Sequence, residues 1–128
     1  MATALRNARV LLADGFDDDS VVLVDGGRIA AVLPGDAAVA DAEVVDLDGG
    51  WLVPGFIDVQ VNGGGGALLN NTPTVDAVRT IARAHRRFGT TGLLPTLISD
   101  DRDTMRVAID AVHDAIAQGV PGVLGIHL

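Results

Sequence analysis

The apolar positions of this chain change their rhythm near Pro54. Before it they come in short β-branched or apolar runs: ARVLLA (8–13), SVVLVDG (20–26), RIAAVLP (28–34) and EVVDLD (43–48). Turn residues separate them at Asp14-Gly15, Asp25-Gly26-Gly27, Pro34-Gly35 and Gly49-Gly50. Runs punctuated in this way predict strands, and Asp25-Gly26-Gly27 between two of them predicts a hairpin. Residues 1–53 therefore read as a small antiparallel sheet.

After Pro54 longer periods enter. FIDVQVN reads as a strand. Thr72-Pro73 offers an N-cap and an N1 proline for a helix. Its stripe is Val78, Ile81, Ala82, His85 and Phe88, closed by Gly89. GLLPTLIS (92–99) is a nearly continuous apolar strand. Ser99, Asp100 and Asp101 open a second helix, with Met105, Ile109, Val112 and Ile116 as its stripe and Gly119 at its end. GVLGIHL (122–128) reads as a third strand. Strand, helix, strand, helix, strand is the grammar of parallel β/α units. Strands this apolar need cover on both faces, and two helices supply only one.

Composition narrows the classes. The chain has 128 residues, formal charge −8 and 48% hydrophobic residues, which suits one domain, or a small domain with part of another, and not a disordered segment. No apolar run approaches the roughly 20 residues of a membrane span. The N-terminus lacks the basic and long apolar regions of a secretory signal. There is no Cys, and all nine basic residues are Arg. That excludes disulfides, thiolate ligands, a Schiff-base lysine and a Walker-A lysine within these residues. A cytoplasmic protein without a membrane partner is expected, and the acidic balance argues against nucleic acid. Arg83, Arg86 and Arg87 form the one basic cluster and read as a solvated face near a helix C-terminus.

The stretch PGFIDVQVNGGGG (54–66) carries the candidate chemistry. Strict alternation puts Ile57, Val59 and Val61 on one face and Asp58, Gln60 and Asn62 on the other. A buried unpaired amide or carboxylate costs on the order of 1–3 kcal/mol or more. A polar row therefore needs an internal network, an edge facing water, or a wet site. In parallel β/α architectures functional side chains lie at the C-terminal ends of strands. Gln60 and Asn62 stand there, while Asp58 lies deeper and reads as structural support. Gly63 to Gly66 allow a sharp turn or a close approach to a ligand. A phosphate loop does not fit: Ala67, Leu68 and Leu69 occupy the positions where the spacing demands glycine, and there is no lysine.

PGFIDVQVNGGGG, LLPTLIS and GVLGIHL, at these separations, resemble the N-terminal third of the N-acetylglucosamine-6-phosphate deacetylase family of amidohydrolases. The resemblance covers most of the chain. It implies the first three β/α units of a TIM-like (β/α)8 barrel (54–128), preceded by part of a small β-sandwich (1–53). It also implies a divalent metal ion, zinc or similar, in the full-length enzyme. The substrate would be a small amino-sugar phosphate, hydrolysed to acetate and the free amine, and the full-length form would be a homo-oligomer. Many amidohydrolases carry two metal-binding His where this chain has Gln60 and Asn62, as does one branch of the deacetylases. The metal-binding Glu, the metal-binding His pair and the general-base Asp are implied beyond Leu128, so this chain alone is expected neither to bind the metal nor to turn over substrate.

Gln60 and Asn62 are thus the candidates for hydrogen bonding to metal-bound water or to substrate, against a packing role. Gly63, Gly64 and His127 are candidate lining residues, with His127 equally readable as a core histidine. His85 and His113 read as structural or surface residues. Two other functions remain open at this level: another metal-dependent amidohydrolase acting on cyclic amides, and a non-enzymatic α/β module that buries its open face against a partner chain.

Overall fold

The computed structural model describes residues Met1–Leu128, which divide into two compact units, Met1–Pro54 and Gly55–Leu128. The first unit holds β1 (Ala2–Leu12), β2 (Gly15–Asp17), β3 (Ser20–Asp25), β4 (Arg28–Pro34) and β5 (Ala42–Leu52). β1 is central. It pairs antiparallel with β3 through Thr3–Leu5 and with β2 through Val10–Leu12. β3 and β4 join through the expected hairpin, with Gly26 and Gly27 at φ +56° and +75°, the left-handed pair of a type I′ turn.

Two expectations for this unit change. β5 runs parallel to β1, so the sheet is mixed and not wholly antiparallel. β1 also begins at Ala2 and not near residue 8. Arg6 and Asn7 interrupt the apolar pattern because the register shifts there. Asn7 and Asp48 adopt φ +56° and +52°, a region Asn and Asp tolerate better than most residues. One oxygen of Asp46 accepts from Asn7 Nδ2 and from the Asp48 amide, each at 2.8 Å. Ala8, Val10 and Val22 form the buried cluster, with Leu5, Leu12 and Leu52 against it.

The second unit holds β6 (Phe56–Val61), β7 (Gly63–Gly64), β8 (Ala67–Leu68), α1 (Val75–Arg86), β9 (Thr90–Pro95) and α2 (Arg102–Ala117). β6 and β9 are parallel with α1 between them in sequence. Val61, Leu69, Ile81, Leu93, Leu97 and Val112 belong to one buried cluster joining strands and helices. The opposite sheet face carries Ile57, Val59 and Leu124, each more than half exposed. That Ile57 and Leu124 share this face follows from Gly92, where an added Cβ would lie 2.7 Å from Leu124 Cδ1 and 3.5 Å from Ile57 Cγ1.

The helices differ in detail from their sequence signals. α1 is capped by Thr74, whose hydroxyl accepts from the Ala77 amide at 3.2 Å, and not by Thr72. Phe88 falls beyond its end and is 74% exposed. On α2 the buried stripe is Ala108, Ala111, Val112 and Ala115, while Ile116 is largely outside. Small side chains on that face allow close approach to the rest of the core, which moves the stripe off the bulkier residues. The expected third strand is reduced to two isolated parallel bridges, Leu93↔Val123 and Thr96↔His127. Three steps along β9 and its exit face four along this segment, so one residue is surplus and the ladder breaks.

Asp101 caps α2 by accepting from the amides of Asp103 and Thr104 at 2.9 and 2.8 Å. The Thr104 amide is the first cause that holds its carboxyl below the ordinary value of 3.8. A carboxylate stabilised in the folded state contributes above its unfolded pKa, and the contribution is lost as pH falls through the lowered folded value. Asp101→Ala is therefore expected to lower the urea midpoint at neutral pH. The gap to wild type should close as the buffer is taken below the ordinary carboxylate range. A gap that is constant down to pH 2 would contradict this.

Candidate functional site

The site candidates gather where β6 and β9 end. The register there departs from strict alternation: Asp58 pairs with Leu93 and Val61 with Pro95, so three steps on β6 face two on β9. This is a β-bulge, in which Val59 and Gln60 together face the single residue Leu94. Parallel partners share a face, so Asp58 lies on the helix-covered side with Leu93, and Val61 is buried there too. Gln60 and Asn62 flank Val61 and fall on the open side. The sequence expectation of one polar row is corrected accordingly. Asp58 does not share a face with Gln60 and Asn62, because the bulge changes the parity between them. Likewise Ile57 and Val61 do not form one apolar face: Ile57 is 65% exposed and Val61 3%.

The bulge takes backbone groups off the ladder, and side chains take them up. The Gln60 amide donates to Asp58 Oδ1 at 3.1 Å. The Val61 amide donates to Thr96 Oγ1 at 2.9 Å, and the Thr96 hydroxyl donates to the Leu94 carbonyl at 3.1 Å. The Val59 carbonyl accepts from His127 Nδ1 at 2.7 Å. That bond places the proton on Nδ1, which leaves Nε2 of a neutral ring as an acceptor. Asp58, Thr96 and His127 thus meet around the backbone that carries Gln60.

The four glycines resolve into a small hairpin. β7 pairs with β8, and Gly65 and Gly66 at φ +62° and +85° make the turn. A Cβ on Gly63 would lie 2.4 Å from the Ala67 carbonyl oxygen, and one on Gly64 would lie 2.9 Å from His85 Nε2. His85 Nε2 donates to the Gly63 carbonyl at 3.0 Å. The hairpin therefore closes on itself because no side chain stands at 63, and it fits against α1 because none stands at 64. His113 is exposed on α2.

Two residues of this region were not marked by the sequence. Thr96 is 4% exposed, and its signal was a single hydroxyl inside the apolar run LLPTLIS. Asn70 ties the segment after β8 to the segment after β9. Its Nδ2 donates to the Ile98 carbonyl at 2.8 Å and to Asp100 at 2.9 Å, and its Oδ1 accepts from the Ile98 amide at 2.9 Å. It carried no signal beyond its place at the end of an apolar pair.

The donors do not fit a direct metal centre. No group of three or more His, Cys, Asp or Glu converges anywhere in the chain. The open-side groups at 60 and 62 are neutral carboxamides, which donate and accept hydrogen bonds. No helix is long and apolar enough to cross a membrane.

A mixed α/β chain with this order of elements is similar to the N-terminal region of solved N-acetylglucosamine-6-phosphate deacetylases. Its sequence likewise matches deacetylases of N-acetylated amino-sugar 6-phosphates. N-acetylgalactosamine-6-phosphate deacetylase of a Shewanella species is 44% identical over 122 residues, covering 94% of this chain and 31% of that protein. N-acetylglucosamine-6-phosphate deacetylase of Haemophilus influenzae is 29% identical over 86% of this chain and 29% of its own length. The crystal structure of the Pasteurella multocida N-acetylglucosamine-6-phosphate deacetylase superposes with a TM-score of 0.88 at 30% identity, over 92% of this chain and 31% of that one. No family model matches the chain. The resemblance drawn from the motifs is thus supported by sequence and fold together, and the chain spans under a third of the length of these relatives.

Proposed function

We propose that this chain is the opening part of an enzyme that hydrolyses the acetamide of an N-acetylated amino-sugar 6-phosphate to acetate and the free amine. Agreement with named deacetylases in both sequence and fold, along nearly the whole chain, carries this reading. Residues 1–53 would be part of a small β-sandwich, and residues 54–128 the first three β/α units of a (β/α)8 barrel. Function in such barrels sits at the C-terminal ends of the strands. Gln60 lies near that end of β6 and Asn62 just beyond it, and on this reading both would face away from the helices. Their carboxamides would hold a water molecule or the substrate acetamide by hydrogen bonds, with Gly63, Gly64 and His127 near the rim.

A divalent ion would polarise the acetamide carbonyl and acidify the attacking water. Its ligands, and the general base, would come from residues other than those of this chain. What these residues supply is orientation. The full-length enzyme would be a cytoplasmic homo-oligomer with no nucleic-acid or membrane partner.

The test is acetate release from N-acetylglucosamine 6-phosphate and N-acetylgalactosamine 6-phosphate. The product of the whole gene is expected to release acetate from at least one of them, and the isolated 128-residue chain from neither. A whole-gene product inactive on both, with divalent metal supplied, would refute the proposal.

A further inference from the structure

We infer that Thr96 and His127 are positioning residues for the Gln60–Asn62 carboxamides. The inference rests on the deacetylase reading and deepens it. Its basis is the bulge. Where β6 and β9 fall out of register, the peptides on either side of Gln60 lose the ladder that would otherwise fix them. Left to themselves, the Val59 carbonyl and the Val61 amide would leave this stretch free to tilt. Each is instead held by a side chain from the neighbouring strand or from the segment beyond it.

The Val61 amide is held at 2.9 Å by the hydroxyl of Thr96, which is itself buried. The Thr96 amide returns a bond to the Val61 carbonyl at 2.8 Å, so Val61 is held at both of its backbone polar atoms, in the peptides before and after it. The Val59 carbonyl is held at 2.7 Å by His127. Thr96 and His127 are themselves bridge partners, and the His127 amide donates to the Pro95 carbonyl at 3.0 Å. Three successive segments are therefore cross-tied around the backbone that carries residues 60 and 62. Asp58 completes the set from below through the Gln60 amide.

Such a tie acts on direction more than on cohesion. Bulges next to active sites re-aim side chains, and a misplacement of about 1 Å at a reacting centre can cost about 100-fold in rate. Thr96→Val keeps the shape and the β-branch but removes the acceptor for the Val61 amide. Thr96→Ser keeps the acceptor.

The experiment compares wild type, Thr96→Val, Thr96→Ser and His127→Phe in the whole-gene product. Acetate-release kinetics are read together with hydrogen exchange of the 58–62 backbone. Thr96→Val and His127→Phe are expected to lower kcat by about 10- to 100-fold, to change KM by less, and to speed exchange at 58–62. Thr96→Ser is expected to restore both readouts. A Thr96→Val protein with wild-type kcat, or one whose only change is a lower melting temperature, overturns the positioning role and leaves the deacetylase reading intact. A wild-type protein that releases no acetate overturns the deacetylase reading, and the positioning role falls with it.

Discussion

Replacing Ile81 by Ala is expected to destabilise the Gly55–Leu128 unit by about 2–5 kcal/mol, measured as a shift of the urea midpoint. Ile81 is fully buried, in the cluster that joins α1 to Val61 and Leu93. The loss combines the transfer term of the deleted carbons with the cavity they leave, because a packed core relaxes only in part. Native domains have about 5–15 kcal/mol in hand, so this one change consumes a large share. Ile116→Ala on α2, a similar apolar deletion, makes a control. Ile116 is 40% exposed despite lying on the expected stripe, and its loss should cost much less. Equal costs at the two positions would show that the buried stripe of α2 has been misplaced.

The second large effect concerns chemistry. In the whole-gene product, Gln60→Ala is expected to reduce kcat/KM for acetate release by about 10- to 100-fold, the usual scale for a partner that orients a metal-bound or reacting group. Asn62→Ala should behave similarly, and the double variant should fall short of the product of the two if both hold one molecule. In the 128-residue chain Gln60 is exposed, so there its replacement should shift stability by no more than about 0.5 kcal/mol. A fully active double variant would remove the carboxamides from the reaction.

Much of this was legible in the residues. The hairpin at Gly26-Gly27, the parallel β6–α1–β9 unit and both helices follow from turn chemistry and from the periods of 2 and 3.6. What alternation could not show was the bulge. Parity arguments assume one residue per rung, and the extra residue between Asp58 and Val61 alters every face assignment after it. A second surplus residue, within 123–127, breaks the ladder expected at 122–128. Thr96 is silent in the sequence because a lone hydroxyl in an apolar strand gives no hint of which backbone group it serves. In the sequence alone, glycines at 63 and 64 suit the rim of a ligand site. Their nearest demand is steric, from Ala67 and His85, and only their partners in space reveal it.

The parallel pairing of β1 with β5 bears on how the first unit acquires its shape. Ala4 meets Val44 forty positions away, whereas Asp25 and Arg28 meet across two glycines. Closing the longer loop costs more chain entropy before any contact rewards it. The β3–β4 hairpin can therefore nucleate early, on the microsecond scale of such turns, while β5 docks last. Until it does, the long edge of β1 stays unpaired, which makes the interval before docking the time when this polypeptide is most open to pairing with another copy of itself.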